Sequence, residues 1–500
     1  MRKTSWRESG AALWNRKKLT LPGIIFSLAL LLLLARLGMS LFEYARLASA
    51  ALTFPFPLDY GEGPMLDQTL RLVSFENIYR NSFASPPYTV SNYPPLFQLI
   101  QAPLARIVGP AFWYGRLISV LSAVSAAGLI GLILHTLTSD RIASAIGGIA
   151  LLAFPYLLQG SVLNRVDALA LALSLGGLYA TVRWPSQRRG LLIAGLLFTA
   201  TAFTNPRYAL AAPLTAFVWL WHLDHRRQAF RLAAIVTGSC LVLFLSLNLI
   251  TQGGFYLNTV LANWTSFSWY AITSYWVNLY LHAGYIVIGC LFFIIVERLG
   301  EATRSWPLVV PYCLGAAFMT LTAGMPNSNG NDLFETATAL CLASGAFIAW
   351  AGESYWLKAL LVFVLAVQIN ILIDWSRQEY IPAQMNKIVD YRQVEQLAEY
   401  VKEAKGPILA DEYMGLIPLN GRRLYFQPFE YKQLQAANLW SVAPLVDSIQ
   451  REEFSVILLY EPSGWNAIGT RWTEGVRNAI YAHYELEDTL AQTLVYRPKK

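Results

Sequence analysis

Two carboxylates lie close together in a turn rich in glycine and proline, Asp59 and Glu62 in the string LDYGEGP. Carboxylate oxygens at this spacing can hold a divalent cation such as Mg²⁺ or Mn²⁺, or they can divide into a general base and a ligand. Aspartate and glycine are also ordinary residues of a solvated turn. The string therefore predicts either an acidic site or a plain surface turn.

Three further charged residues stand at the edges of apolar runs. Arg165 and Asp167 open the run LNRVDALALALSLGGLY, where an ionisable residue is costly unless it is paired, wet or functional. A local Arg–Asp pair that anchors a helix end is the simpler interpretation. Arg207, in FTNPRYALAAP, stands where basic residues are disfavoured. It either extends to lipid headgroups or binds an external phosphate through its guanidinium fork.

A polar segment precedes another apolar run in GMPNSNGNDLFETATAL. Asn327, Asn329, Asn331 and Asp332 come first, and capping of the following helix explains part of this pattern. Glu335 lies one helical turn inside the run, where capping does not explain it. The segment is either a helix cap or part of a functional site.

The composition identifies the elements that must position these residues. Of 500 residues, 55% are hydrophobic and only 14% are charged, against about 25% charged in an average soluble domain. Apolar runs of roughly 18–25 residues recur between residues 22 and 374, each long enough to cross a bilayer as a helix. The chain is therefore predicted to be a polytopic helical membrane protein surrounded by lipid. Disordered, disulfide-rich and nucleic-acid-binding proteins are excluded, since the basic residues lie mostly between the apolar runs.

About eleven transmembrane helices are predicted. The first follows a basic, cytoplasmic N-terminal segment 1–21 and is interpreted as uncleaved, although Ala48-Ser49-Ala50 resembles a signal-peptide cleavage site. The others are predicted near 113–137, 142–158, 166–182, 190–205, 208–222, 232–250, 271–296, 306–323, 333–350 and 356–374. Alternate loops carry arginine or lysine, whereas loops 251–269 and 324–332 carry neither, so the C-terminus is predicted to lie outside.

Two segments between the first two spans need a separate interpretation. The first external loop is predicted at about 46–93, with an amphipathic helix at 64–76 lying flat in the membrane interface on Leu66, Leu70 and Val73. Segment 94–109 is short and contains prolines, which predicts a re-entrant or juxtamembrane helix. Residues 22–374 form the predicted membrane module.

The tail 375–500 has the composition of a soluble domain. The string YRQVEQLAEYVKEAK has helical periodicity, and PILA and FSVILLY are short apolar runs typical of buried strands. RWTEGVRNAIYAHY is predicted to form a further helix. The tail is therefore predicted to be a small extracytoplasmic α/β domain.

The order of these features resembles that of the GT-C membrane glycosyltransferases, the broad class of protein O-mannosyltransferases and aminoarabinose transferases, in their poorly characterised bacterial branch. One span precedes a long external loop with an acidic pair, and an amphipathic helix follows. The matching residues are Asp59, Glu62, Tyr93, Pro94, Pro95, Leu96, Gly115, Arg116, Arg165 and Asp167.

The resemblance implies transfer of a sugar from a polyprenyl-phosphate donor to a lipid, glycan or protein acceptor. The transfer would take place on the extracytoplasmic face of the cytoplasmic (plasma) membrane, in which the protein is embedded. It implies that Asp59 is the base or a metal ligand, that Glu62 assists it, and that Asp167 completes the acidic site, with Asp59 and Asp167 as the ligands of any Mg²⁺ or Mn²⁺. Arg207 would bind the donor phosphate. The same resemblance assigns Arg165 to the phosphate, and Tyr93, Asn331 and Glu335 to substrate binding.

Other classes remain open. A transporter would place ionisable groups near the bilayer midplane and within repeated halves, whereas here they gather at one face and no repeat is evident. A membrane scaffold, or an accessory subunit with a degenerate site, would need none of this chemistry. A polymerase or ligase of lipid-linked glycans is a further alternative within the transferases.

Overall fold

The structure is a computed structural model of the chain, and it describes residues 20–264, 267–299, 305–325 and 330–499. Segment 1–19 and the polar residues Asn327 and Asn329 lie outside the described residues. Within these ranges the chain is mostly helical, with one small sheet near its C-terminus.

The membrane part comprises fifteen described α-helices, several linked by short 3₁₀ turns. They are α1 (Leu21–Thr53), α2 (Glu62–Val73), α3 (Leu96–Val108), α4 (Trp113–Thr138), α5 (Arg141–Ala150), α6 (Pro155–Gly160), α7 (Asp167–Arg183), α8 (Arg188–Ala202), α9 (Ala211–His222), α10 (Arg226–Ile250), α11 (Gly254–Thr259), α12 (Trp269–Leu299), α13 (Trp306–Met319), α14 (Phe334–Trp350) and α15 (Tyr355–Trp375).

Seven of the described helical segments are long and apolar enough to cross a membrane: those containing α1, α4, α10, α12, α13, α14 and α15. The protein is therefore a multi-pass membrane protein, as predicted. Helices α5, α7, α8 and α9 match four further predicted spans but have at most 17 residues. The predicted total of eleven spans and their orientation stay predictions.

Small residues allow the helices to pack closely. A Cβ on Gly147 of α5 would come within 2.4 Å of Leu134 and 3.1 Å of the Cys341 carbonyl, so α5 can approach α14 only with glycine there. Asp140 caps α5 by accepting the Ile142 N–H at 3.0 Å. The predicted span at 142–158 is interrupted, because a 3₁₀ turn follows Ala150 and α6 restarts at Pro155.

Helix α1 extends farther than its apolar run. It ends at Thr53, so the loop between α1 and α2 begins at residue 54, whereas the first external loop is predicted to begin at about residue 46. Polar side chains in its last turns have partners, since Glu43 accepts hydrogen bonds from Arg46 at 3.1 Å and from Arg377 at 2.8 Å. These pairs let the helix continue past the end of its hydrophobic stretch.

Helix α2 is covered by protein. The predicted helix exists, but Leu66 is fully buried, and its stripe packs with Ala105 and Tyr114. A Cβ on Gly63 would come within 2.8 Å of the Gly415 backbone, so the tail lies directly on this helix. The apolar stripe of α2 therefore packs against protein, and the predicted position of α2 flat in the membrane interface stays a prediction. Helix α3 matches the short helix predicted at 94–109.

The tail contains seven helices and four strands among the described residues. They are α16 (Ile381–Val389), α17 (Tyr391–Glu403), β1 (Ile408–Ala410), α18 (Leu416–Leu419), α19 (Pro428–Ala436), α20 (Ala443–Gln450), β2 (Val456–Tyr460), α21 (Ala467–Arg471), α22 (Glu474–His483), β3 (Tyr484–Leu490) and β4 (Thr493–Pro498).

The strands form one sheet in the order β1-β2-β4-β3. Strands β1 and β2 are parallel, with Ile408 opposite Val456, and β4 is antiparallel to both β2 and β3. The predicted strands PILA and FSVILLY are thus confirmed. Two details differ from the predictions: α15 continues through a π-helical turn into α16, well past residue 374, and the string that begins at Arg471 is divided between α21 and α22.

The first external loop is bonded to the tail. Tyr88 forms a parallel bridge with Phe426, and the Gln427 N–H donates to the Tyr88 carbonyl at 3.0 Å. The Val90 N–H donates to Oε1 of Gln427 at 2.5 Å. The loop and the tail therefore form one continuous wall over the ends of the membrane helices.

Candidate active site

Asp59 lies in the turn between α1 and α2 and is paired with Arg165. Its Oδ2 accepts a hydrogen bond from Nη2 of Arg165, and its Oδ1 accepts the Glu62 N–H at 3.1 Å. A Cβ at residue 61 would come within 2.7 Å of that Nη2, which explains the glycine there. The pair is partly exposed, with 18% of the Asp59 side chain and 19% of the Arg165 side chain accessible.

Glu62 occupies a different place from the one predicted. Its side chain and that of Arg116 are both fully buried, and they are joined by two hydrogen bonds of 2.8 and 2.7 Å. Glu62 also accepts the backbone N–H groups of Leu58 and Asn164, both at 2.7 Å. Burial alone would raise the pKa of Glu62, but Arg116 holds that pKa below its usual range. Glu62 anchors the turn that carries Asp59 and lines none of the three spaces described below.

Asp167 begins α7 and is held by two amides. Its Oδ1 accepts a hydrogen bond from Nδ2 of Asn205 at 3.0 Å, and its Oδ2 accepts one from Nδ2 of Asn331 at 2.8 Å. Asn205 in turn caps the 3₁₀ turn that carries Arg207, accepting the Arg207 N–H at 3.1 Å. Asp167 therefore connects three segments that are distant in sequence, and the structure brings it close to Arg207 and Asn331.

Arg207 has a partner within the protein. Its Nη1 donates to Oδ1 of Asp332 at 2.6 Å, and 18% of its side chain stays accessible. The adjacent Tyr208 hydroxyl donates to the Asn331 carbonyl at 2.7 Å. The ion pair with Asp332 explains why an arginine is tolerated at that boundary. The same pair holds the Arg207 guanidinium beside the acidic site.

Of the other predicted substrate-binding residues, Tyr93 lies within the site and Glu335 lies outside it. Burial raises the pKa of Tyr93 to about 12, so its hydroxyl stays protonated at neutral pH. Glu335 is buried in α14, with neither carboxyl oxygen hydrogen-bonded within the described residues. It lines none of the three spaces, so its predicted contact with substrate has no structural support.

An apolar groove of about 670 Å³ lies in the membrane part. Its walls include Phe203, Val236, Leu241, Phe244 and Val260. Tyr93, Asn205 and Arg207 are polar members of its lining. The lining is thus mostly apolar and includes one arginine.

Two cavities contain more charged side chains than this groove. The central cavity, about 390 Å³, is lined by Asp167 and shares Asn92 and Tyr93 with the apolar groove. The interdomain cavity, about 510 Å³, is lined by Asp59 and Asn331 and lies between the membrane part and the tail. The two cavities share Arg165, Trp465 and Arg471. The central cavity thus adjoins both the groove and the interdomain cavity, and Asp167 and Asp59 line the two cavities.

The tail contributes residues that the sequence analysis did not single out. The Arg471 guanidinium carbon lies 4.7 Å from the Tyr60 ring centroid and 4.9 Å from that of Trp465, while Nη2 donates to Glu412 at 2.5 Å. Burial alone would raise the pKa of Glu412, but the charges of Lys387 and Arg471 lower it to about 2. The one local signal was an arginine among tryptophans in GWNAIGTRW.

Glu430 is a further acid that the sequence analysis missed. It lines the central cavity, and the Tyr60 hydroxyl donates to its Oε2 at 2.5 Å. Burial raises the pKa of Glu430. Its position at the start of α19 offers no local signal, because an acid in the first turn of a helix is ordinary.

The predicted metal ligands do not fit a divalent cation as they stand. Such an ion needs several converging oxygen ligands, and no group of three or more histidine, cysteine, aspartate or glutamate side chains within the described ranges meets that need. Asp59 is held by the Arg165 cation, and both oxygens of Asp167 face amide N–H donors. Hydrogen-bond donors, one of them the Arg165 cation, thus occupy the carboxylate oxygens that a metal would need.

Comparison with known proteins gives the same class of fold. A family model described as dolichyl-phosphate-mannose-protein mannosyltransferase matches residues 92–250. No curated protein matches the sequence. Among solved structures, ArnT from Cupriavidus metallidurans in the apo state is similar at 10% identity, with a TM-score of 0.62 over 92% of this chain and 97% of that one.

Two more structures share the fold. ArnT from the same organism bound to undecaprenyl phosphate is 11% identical, with a TM-score of 0.61 over the same shares of the two chains. The archaeal oligosaccharyltransferase AglB from Archaeoglobus fulgidus, in complex with an inhibitory peptide and a dolichol-phosphate, is 12% identical. Its TM-score is 0.51, over 92% of this chain and 74% of that one.

The chain therefore shares the fold of ArnT and AglB, and residues 92–250 match the mannosyltransferase family model. Both findings support the predicted resemblance to the GT-C membrane glycosyltransferases.

Proposed function

We propose that the protein transfers a sugar from a polyprenyl-phosphate donor to an acceptor on the extracytoplasmic face of the cytoplasmic membrane. The observation that carries the proposal is the apolar groove, which is lined by Arg207 and shares Asn92 and Tyr93 with the central cavity. A polyprenyl chain needs an apolar surface, and its sugar-phosphate needs hydrogen-bonding groups. The groove and the central cavity meet both needs at their shared residues, Asn92 and Tyr93.

Arg207 is the proposed ligand of the donor phosphate. When the bond between the sugar C1 and the phosphate oxygen breaks, negative charge develops on the departing polyprenyl phosphate. A cation fixed beside that oxygen stabilises the transition state more than the ground state. The 2.6 Å contact with Asp332 holds the guanidinium in place before the donor binds. Arg165, shared by both cavities, is the second proposed cation.

Asp59 is the proposed base. It lines the interdomain cavity, and Arg165 orients its carboxylate. A hydroxyl oxygen of the acceptor attacks C1 of the sugar, its proton passes to Asp59, and the phosphate leaves with the bonding electrons. Asp167 lines the central cavity and faces the donor sugar there. Glu62 acts only by holding the turn of Asp59.

Turnover of a native lipid extract by the purified full-length protein tests this proposal. Mass spectrometry should detect conversion of a glycosyl polyprenyl phosphate to the bare phosphate. Asp59→Asn should lose the conversion, and Asp447→Asn, which changes an exposed carboxylate in α20, should keep it. A folded Asp59→Asn protein with full turnover would refute the assignment of the base. Counterflow of a labelled solute into proteoliposomes, without covalent product, would favour the transporter.

The proposed orientation has its own test. Asn420 follows α18 and is exposed. An Asn420→Cys variant should react with a membrane-impermeant maleimide in intact cells if the tail is extracytoplasmic. Labelling only after the membrane is opened would refute that orientation.

A further inference from the structure

The interdomain cavity contains buried polar atoms that have no hydrogen-bond partner within the described residues. Gln384 is only 3% exposed and lines this cavity, and its Oε1 is one of these atoms. Arg471 is 8% exposed, and its Nη1 is another, with Oδ2 of Asp411 4.0 Å away. A buried polar atom without a hydrogen bond is unfavourable. An unsatisfied acceptor and an unsatisfied donor in one cavity therefore call for a ligand that both donates and accepts hydrogen bonds.

The charges of the cavity balance. Its acidic lining residues are Asp59, Asp390 and Glu412, and its basic ones are Arg165, Lys387 and Arg471. Five of the six are already joined by ion pairs, Asp59 with Arg165 and Glu412 with both Lys387 and Arg471. A phosphorylated lipid headgroup or an acidic peptide would find no surplus of positive charge here. The balance favours a neutral ligand.

Aromatic and amide side chains complete the lining. The Trp465 ring is 46% exposed, and its centroid lies 4.9 Å from the Arg471 guanidinium carbon. The Tyr460 ring centroid lies 5.8 Å from the same carbon. Asn386 and Gln492 add amide groups. Rings offer a flat apolar face to the C–H groups of a sugar ring, and amides both donate to and accept from its hydroxyls.

We infer that the interdomain cavity is the acceptor subsite, and that it takes the neutral, hydroxyl-rich end of a glycan. The inference rests on the proposed function and names its acceptor class. One hydroxyl of the bound glycan attacks C1 of the donor sugar, its proton passes to Asp59, and polyprenyl phosphate leaves as a new glycosidic bond forms. Gln384, Arg471 and Trp465 hold the glycan while this happens.

The test uses the purified full-length protein and a glycosyl polyprenyl phosphate with a labelled sugar. The acceptor probes are neutral di- to tetrasaccharides of hexoses, 6-deoxyhexoses and N-acetylhexosamines, beside lipid A and serine- and threonine-containing peptides. The labelled sugar should appear on an oligosaccharide. Label on lipid A or on a peptide would overturn the acceptor class.

Variants separate the acceptor subsite from the donor site. Gln384→Met keeps the volume of the side chain and removes its amide, so kcat/KM for the oligosaccharide should fall about tenfold or more, mostly through KM, as expected for a lost buried hydrogen bond. Hydrolysis of the donor by water should stay within about twofold. Gln450→Met changes an exposed glutamine at the end of α20 and is the matched control. Unchanged oligosaccharide transfer in Gln384→Met would overturn the subsite.

A second variant guards against a folding defect in the first. Trp465→Ala should also lower kcat/KM for the oligosaccharide, whereas Trp356→Ala, at an exposed tryptophan on α15, should not. Wild-type protein that consumes donor but labels none of the oligosaccharides overturns the acceptor subsite alone. Wild-type protein that consumes no donor refutes the proposed function, and the subsite falls with it.

Discussion

Glu62 and Arg116 form a fully buried ion pair that holds the candidate base in position. Nε of Arg116 donates to Oε1 at 2.8 Å and Nη2 donates to Oε2 at 2.7 Å. The remaining Arg116 donors reach the carbonyls of Ala51, Phe54 and Phe56 at 2.6–2.7 Å. One guanidinium thus links the end of α1 to the starts of α2 and α4. Through Glu62 it also holds the turn that carries Asp59 in place.

We expect Glu62→Gln to destabilise the protein. Removing one partner of a buried pair leaves the other charge uncompensated, which costs about 3–5 kcal/mol. Thermal unfolding in detergent should show a clearly lowered Tm, with Glu399→Gln, an exposed carboxylate on α17, as the control. A Glu62→Gln protein with the wild-type Tm but no turnover would instead give Glu62 the chemical role that the sequence suggested.

Substitution of Arg207 should impair the chemical step. Because the charge on the phosphate grows as the bond to the sugar breaks, Arg207→Ala should lower kcat by on the order of 10²–10³-fold, with a smaller change in KM. Arg207→Lys should recover only part of the loss, since an ammonium lacks the bidentate fork. Steady-state kinetics on a glycosyl polyprenyl phosphate measure both. Arg226→Ala, at an exposed arginine, is the control, and equal rates in the two alanine variants would remove Arg207 from the site.

Much of the site could be predicted from local sequence, and its connections could not. Asp59, Asp167 and Arg207 stand out because charged residues beside apolar runs need a reason. Their partner Asn205 carries no such signal, and Asp332 is explained equally well as a helix cap, since asparagine and aspartate are common at helix starts. Glu62 shows the limit most clearly, because its role depends on Arg116, 54 residues away.

The tail shows the same limit at the level of the fold. Short apolar runs predicted β1 and β2, and a helical pattern predicted α17, whose Val394, Leu397 and Val401 are all buried. The same patterns gave no sign that Arg471 would lie against Tyr60. The loop that carries Tyr60 also pairs with the tail at Tyr88, and such long-range pairing leaves no local periodicity.

The apolar groove should protect a cysteine when lipid binds. Cys240 lines the groove, whereas Cys290 and Cys341 are buried elsewhere. In detergent, a maleimide should modify Cys240 and leave the two buried thiols unmodified, and saturating undecaprenyl phosphate should slow this reaction severalfold. Mass spectrometry of peptides gives the rate at each thiol. Equal rates at Cys240 with and without the lipid would argue against the groove as the lipid site.

Chelation should leave turnover unchanged. Arg165 and Arg207 already supply positive charge beside the acidic site, and the oxygens of Asp167 face amide donors. Donor turnover should therefore be the same after dialysis against EDTA as before, within about 20%. Loss of activity that Mg²⁺ or Mn²⁺ restores would show that the two carboxylates rearrange to bind a metal.

The contact between α2 and the tail should weaken as the pH rises. Burial raises the pKa of Asp67 from an ordinary 3.8 to about 6, and its Oδ1 accepts the Leu424 N–H at 3.2 Å. Because the folded protein holds this proton more tightly than the unfolded chain, the associated stability is fully present below about pH 4 and is lost as the pH passes through about 6.

Asp67→Asn should accordingly stabilise the protein at pH 8, by up to about 3 kcal/mol, since about two pKa units separate the folded and unfolded states. The gain should shrink on acidification and vanish near pH 4, where the wild-type carboxyl is protonated in both states. Thermal unfolding of both proteins between pH 4 and pH 8 measures the difference in Tm, with Asp447→Asn as the control for loss of an exposed carboxylate. A difference in Tm that is the same at every pH would mean that Asp67 stays ionised in the folded protein, and that its burial beneath the tail does not control the contact.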